Sequence, residues 1–180
     1  MAVEKREFPS STGDLLAARF DRPDGDIRGY ALFAHCFTCT KDIIAARRIA
    51  GHLARLGVAV LRFDFTGLGS SQGEFANTSF ASNVDDLVAA ANYMADNGEA
   101  PTILIGHSLG GAAVLAAAGE IATIKGVATI GAPADAEHVL HMFNDQVEEI
   151  EREGVAEVSL AGRKFKIGKG FIKAARETQL

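Results

Sequence analysis

Residues 101–119, PTILIGHSLGGAAVLAAAG, constrain this chain more than any other stretch. Thr102-Ile-Leu-Ile105 is a β-branched run suited to a buried strand, and the Ala-rich pattern from Leu109 onward is suited to a helix. Between them lies Gly106-His107-Ser108-Leu109-Gly110, a Gly-x-Ser-x-Gly unit that leaves no length for an ordinary loop. A strand that becomes a helix this abruptly forces Ser108 into a strained conformation and lifts its hydroxyl above the sheet edge, as in a nucleophile elbow. Gly106 and Gly110 lack Cβ atoms, so strand and helix can close around the serine. The helix N-terminus behind it offers unpaired N–H groups and a positive dipole end to developing negative charge. Ser108 is the expected nucleophile; the competing reading is a plain Gly-rich strand-to-helix turn.

The rest of the chain repeats the alternation of strand and helix. Residues 3–8 and 15–21 read as strands around the turn at Pro9-Ser-Ser-Thr-Gly13. Residues 29–35, GYALFAH, and 58–63 are continuous apolar runs of the kind buried on both faces of a parallel sheet. Residues 125–131 form a further strand ending at Gly131-Ala-Pro133. Helical stripes span 41–56, 84–97 and 109–119, with Gly57 closing the first. The predicted fold class is α/β: a parallel sheet with helices on both faces and antiparallel N-terminal strands. Past Pro133 the pattern changes. Val139, Leu140, Phe143, Val147 and Ile150 predict one amphipathic helix, and residues 156–160 and 164–167 predict a hairpin around Ala161-Gly162. The expected division is a core over 1–134 and a small helix-plus-hairpin cap over 135–180. The acidic face of the cap helix and the basic tail, Arg163 to Arg176, are expected to pair with each other.

With 48% apolar residues the chain can bury one substantial core, and its net charge of −5 argues against a nucleic-acid surface. Residues 102–119 are interrupted by Gly, His and Ser, so no membrane span is expected, and no secretory signal opens the chain. A cytoplasmic location is the default. No His, Cys, Asp and Glu set has zinc-like spacing, and Gly67, Gly69 and Gly73 do not open a helix. Neither a metal nor a cofactor is expected.

Acyl transfer needs two donors aimed at the oxyanion. One is the backbone N–H of Leu109, the residue after the serine. The loop after the 29–35 strand, His35-Cys36-Phe37-Thr38, supplies the other: the Phe37 N–H, with Cys36 as the neighbouring alternative. His35 is expected to order that loop, His52 to lie on a helix surface, and His107 to leave the elbow on the far side. His138 and His141 share a helical face and are candidate bases; Asp135 is a candidate acid, with helix capping as its plainer role. Asp64 is expected to hydrogen-bond the glycine loop behind it. Cys36 and Cys39 have the spacing of a redox dithiol, against the simpler account of two small residues packed in a loop.

The order of these segments resembles the α/β-hydrolase superfamily. HCFTCTKD, RFDFTGLGSSQGEF, IGHSLGGAA and IGAPAD together resemble the hydrolase half of bacterial proteins in which an α/β hydrolase is fused to an OsmC-like thiol peroxidase domain. The resemblance implies a serine hydrolase with a small cap after the Pro133 strand. In that superfamily the triad runs Ser, then Asp or Glu, then His. No segment after Pro133 reads as a further buried parallel strand to carry the acid and the histidine. The expectation is therefore a C-terminally incomplete fold, weakly active alone, completed by a missing domain or an oligomer partner. Three functions follow: a serine hydrolase acting on a small ester or acyl substrate, a non-catalytic ligand- or partner-binding module, and a thiol redox protein using Cys36 and Cys39.

Overall fold

A computed structural model describes residues 1–134, 136–160 and 162–177. Eight strands and five helices follow one another as β1 (Ala2–Pro9), β2 (Leu15–Arg22), β3 (Gly29–Ala34), α1 (Ile44–Arg55), β4 (Val58–Phe63), α2 (Phe80–Asp96), β5 (Ile103–His107), α3 (Leu109–Ala117), β6 (Gly126–Ile130), α4 (Asn144–Glu153), β7 (Val155–Leu160), β8 (Arg163–Gly168) and α5 (Lys169–Glu177). Six strands form one sheet in the order β1-β2-β4-β3-β5-β6. β3, β4, β5 and β6 run parallel, while β1 and β2 join antiparallel at one edge. The predicted fold class is the observed one.

Strand alternation assigns each face of the sheet to its helices. From β3, Ala31 and Phe33 point to a cluster with Ala46 and Ala50 of α1. Leu32 and Ala34 point the other way, to Leu87 of α2 and Val114 of α3. α2 begins at Phe80, earlier than the apolar stripe suggests, because Ser79 and Ser82 cap it reciprocally. Ser82 N–H donates to Ser79 Oγ at 3.1 Å, and Ser79 N–H to Ser82 Oγ at 2.8 Å.

The segment after Pro133 departs from its expected form in two places. The single helix expected over Val139 to Ile150 is a 3₁₀ turn, Ala136–Phe143, followed by α4. The break falls at Phe143, whose extended φ of −148° carries its ring onto Phe37, 6.3 Å between centroids. The tail, read only as basic, forms α5, which buries Phe171, Ile172 and Ala175. The β7–β8 hairpin stays outside the main sheet, as expected, and pairs antiparallel with Leu160 opposite Arg163. Acidic helix and basic tail do meet, since Arg176 pairs with Glu151 and approaches Glu137. Leu140, Val147, Ile150 and Phe171 are buried in the same apolar cluster as α2 and α3.

A buried polar network ties together the carboxyl ends of β3 and β4. Asp64, fully buried, accepts hydrogen bonds from Lys41 N–H and Lys41 Nζ, both at 2.6 Å, and from Ser70 N–H at 2.8 Å. The last of these is the link to the glycine loop that the sequence suggests. Arg62 Nε donates to Asp21 at 2.7 Å, and its Nη1 donates to the Lys41 carbonyl at 2.6 Å and to Asp42 at 2.7 Å. Lys41 and Arg62 fall within the segments HCFTCTKD and RFDFTGLGSSQGEF, but sequence reasoning assigns no role to them or to Asp21. The signal for Arg62 is nonetheless present, as a charged residue within the apolar run VAVLRF. Beside the network, buried His35 uses both ring nitrogens as a neutral imidazole does. Nδ1–H donates to the Cys36 carbonyl at 2.8 Å, and Nε2 accepts weakly from Phe65 N–H at 3.5 Å.

Two predictions follow from this network. Burial pushes His35 down to about 4, against the pull of the Cys36 carbonyl and Asp64 and with the help of nearby Lys41 and Arg163. In the unfolded chain it titrates near its ordinary 6.5. Between those values the unfolded state binds more protons, so the His35 contribution is full above about 6.5 and is lost as pH falls toward 4. Burial moves Asp86 the other way, up to about 6 despite hydrogen bonds from Thr66, and its contribution is lost as pH rises through that window. Urea unfolding of wild type and His35→Asn between about pH 7 and about pH 4.5 separates the two, because Asp86 is common to both chains. The variant should lose less stability on acidification; an equal slope would contradict the assignment. Lys41→Met leaves the Asp64 carboxylate buried without its cation, and should cost about 3–5 kcal/mol in the same assay near pH 7.

Candidate active site

Ser108 sits between the last residue of β5 and the first of α3 with φ 54° and ψ −126°. Among the described residues, only Ser108 and Thr38 combine a side chain with positive φ. The strain is held from both sides. Ser108 N–H donates to the Ile130 carbonyl of β6 at 2.9 Å, and the Ser108 carbonyl accepts from Gly111 N–H at 2.8 Å. A Cβ on Gly106 would lie 2.3 Å from the Gly110 carbonyl oxygen. One on Gly110 would lie 2.3 Å from the His35 carbonyl oxygen and 2.6 Å from that of Ala34. Helix, strand and the loop after β3 are therefore in backbone contact, which only glycine allows.

That contact brings the two expected donors together. β3 and β5 are paired neighbours with Ala34 opposite Gly106, and Phe37 and Leu109 each lie three residues beyond that pair. Both line one small hollow between loop and elbow. Among the described residues neither Phe37 N–H nor Leu109 N–H donates to a protein acceptor. Ser108 beside them is half-buried, and an oxygen that gains negative charge needs two donors of this kind.

The loop itself is tightly closed. Cys36 and Cys39 are joined by a disulfide, a bond that the spacing of a redox dithiol allows and that the simpler reading of two packed small residues does not include. Cys39 N–H also donates to the Cys36 carbonyl at 3.0 Å. An open cleft of about 590 Å³ runs from this loop over Ser108, with Ile43, His107, Met142 and Arg163 in its walls. His107 thus lines the serine's cleft instead of leaving on the far side, because β5 stays extended and paired with Ile130 through His107. Its Nδ1 is buried without a hydrogen-bond partner.

The candidate histidines are not assembled around the serine. His138 and His141 lie on the 3₁₀ turn, both exposed, their rings 5.5 Å apart; Met142, not either histidine, lines the cleft. Among the described residues no side chain hydrogen-bonds Ser108 Oγ. Asp135 lies outside the described residues. His35 is committed to the loop, and His52 is exposed on α1 beside Arg55, as its sequence position suggests. Among the described residues no helix is long and apolar enough to cross a membrane.

Known proteins are similar to this chain in fold and in sequence. The esterase domain of a Rhodothermus marinus protein is 47% identical, with a TM-score of 0.71 over 96% of this chain and 67% of that one. Mouse alpha/beta hydrolase domain-containing protein 10 is 26% identical, with a TM-score of 0.74 over 98% of this chain and 71% of that one. In sequence, the human mitochondrial palmitoyl-protein thioesterase ABHD10 is 37% identical over 99 residues, which are 54% of this chain and 31% of the relative. The chain thus matches about a third of the length of that curated relative. The family model described as Serine aminopeptidase, S33, a hydrolase family, matches residues 26–162. With its α/β-hydrolase fold and a match over most of its length, the chain belongs to this hydrolase family.

Proposed function

We propose that the chain is a serine acyl hydrolase acting on a small ester or thioester, with Ser108 as nucleophile. Ser108 Oγ attacks the acyl carbon, and the carbonyl oxygen becomes an oxyanion held by Phe37 and Leu109 N–H. The observation that carries this reading is the strained Ser108 at the strand-to-helix turn, beside two backbone donors with no protein acceptor. The names of the relatives, an esterase domain and a palmitoyl-protein thioesterase, support an acyl substrate. Residues 135–180 act as the cap over the cleft, with Met142 and Arg163 in its wall. A non-catalytic binding module is favoured by one observation, that among the described residues no imidazole reaches Ser108 Oγ. Turnover by this chain is accordingly small, because among the described residues no proton acceptor that sharpens a serine hydroxyl is in place.

A fluorophosphonate tests the assignment, since its fluoride leaves readily even when the serine is only weakly activated and gives its proton to water. Intact mass should rise by one phosphonyl adduct, mapped to Ser108 and absent in Ser108→Ala. Hydrolysis of a short-chain p-nitrophenyl ester should exceed the Ser108→Ala background, yet stay at a remnant on the order of 10³–10⁴-fold over water. Labelling no faster in wild type than in Ser108→Ala would leave the binding-module reading standing and remove this one.

A further inference from the structure

Phe37, the loop residue expected to supply an oxyanion donor, is buried and is gripped mainly by rings from outside its own loop. Its ring centroid lies 5.1 Å from Phe171 of α5, 5.7 Å from Phe75 and 6.3 Å from Phe143. Phe75 in turn meets Phe165 of β8 at 5.5 Å, edge to face. Arg163 closes the set: its guanidinium lies over the Phe165 ring at 5.0 Å, and its Nη2 donates to the Thr38 carbonyl. Thr38 is the β-branched residue held at φ 58°, directly after Phe37. A β-branched residue in that region is costly and persists only where its surroundings hold it. The Arg163 bond is a hold of that kind, spanning the turn from hairpin to loop.

We propose that Arg163 is a positioning residue for the reaction. From the cap hairpin it holds the Thr38 carbonyl and with it the Thr38–Cys39 peptide plane, whose Cys39 N–H donates at 3.0 Å to the Cys36 carbonyl, and the Cys36–Phe37 plane so held is the one that carries the Phe37 N–H. The inference rests on the serine-hydrolase reading and gives the cap a role beyond covering the cleft. Arg163 touches no reacting atom. It acts through Thr38, and the stacking on Phe165 keeps its fork in register. The Cys36–Cys39 disulfide and the Cys39 N–H bond to the Cys36 carbonyl limit the loop from within, and the Arg163 bond holds it from outside.

The test compares Arg163→Met, which keeps an apolar stem over Phe165 without a donor, with Arg163→Gln and Arg163→Lys, which keep one. Fluorophosphonate labelling of Ser108 is followed over a range of probe concentrations, so that the saturated rate constant and the half-saturating concentration are read separately. Arg163→Met should lower the saturated rate on the order of tenfold to a hundredfold with little change in half-saturation, the signature of a weakened oxyanion donor. Arg163→Gln and Arg163→Lys should recover most of that loss. In the chain without probe, amide hydrogen exchange of residues 36–40 should rise in Arg163→Met and not in Ser108→Ala.

An unchanged saturated rate in Arg163→Met would overturn the proposal. So would Arg163→Gln no better than Arg163→Met, which would point to the charge instead of the donor. Unchanged exchange in the loop would overturn it independently of any chemistry. Failure of wild type itself to label at Ser108 would remove the hydrolase reading, and the positioning role with it.

Discussion

Everything at the candidate site depends on one backbone contact, the approach of the α3 N-terminus to the end of β3. Gly110 lies so close to the Ala34 and His35 carbonyls that a single methyl group would meet both. The parallel pairing of Ala34 with Gly106 sets that distance, because it brings the two strand ends level. Once they are level, the loop leaving β3 and the helix leaving β5 stand side by side, with Phe37 and Leu109 each three residues past the pair. The strained Ser108 stands between them, fixed to β6 through Ile130. The serine, the donors and the cleft are thus consequences of sheet register and of two missing Cβ atoms.

The same end of the sheet carries most of the buried charge. Asp64, Lys41, Arg62 and Asp21 are nearly inaccessible, and each charge finds its partner inside the network. Burying ion pairs is a poor route to stability, because desolvation can cancel the attraction. Such a network does fix geometry. Lys41 is reached through its N–H, its carbonyl and its ammonium, so the segment after the Cys36–Cys39 turn is held at three points. Neutral His35 fastens the first residue of the turn, and the disulfide closes it.

The residues after Pro133 contribute in a different currency. Their rings and aliphatic side chains share one apolar cluster with α2 and α3, and Phe37 belongs to it. An aromatic side chain buries a large area and prefers offset or edge-on neighbours, so a ring ringed by others has few orientations left. Thr38, strained in the adjacent position, is tied to the same segment by Arg163. The cap segment therefore shapes the loop it stands beside.

Sequence alone determined the strands of the sheet, the helices packed on it and the tight strand-to-helix turn at Ser108. Apolar runs such as GYALFA and VAVLRF have one economical use in a parallel sheet, and Gly-x-Ser-x-Gly between a strand and a helix has few backbone solutions. Those are local properties, carried by periodicity and by the absence of side chains at two glycines. Phe37 and Leu109 were legible for the same reason, as the residues that strand ends deliver to one edge. What lies far apart in the chain was not. Arg163 is 125 residues from Thr38, and no local pattern links an arginine at a hairpin to a carbonyl in a loop. Arg62 stands out as a charge within VAVLRF, yet its partner Asp21 and the pairing of Lys41 with Asp64 appear only once the fold buries them. The helix over Val139 to Ile150 broke at Phe143 because packing against Phe37 outweighed helical continuity. His138 and His141 share a face in the sequence, yet the structure leaves that face exposed, away from Ser108. Tertiary structure decided these points, since burial and partner choice arise only when distant segments exclude water together.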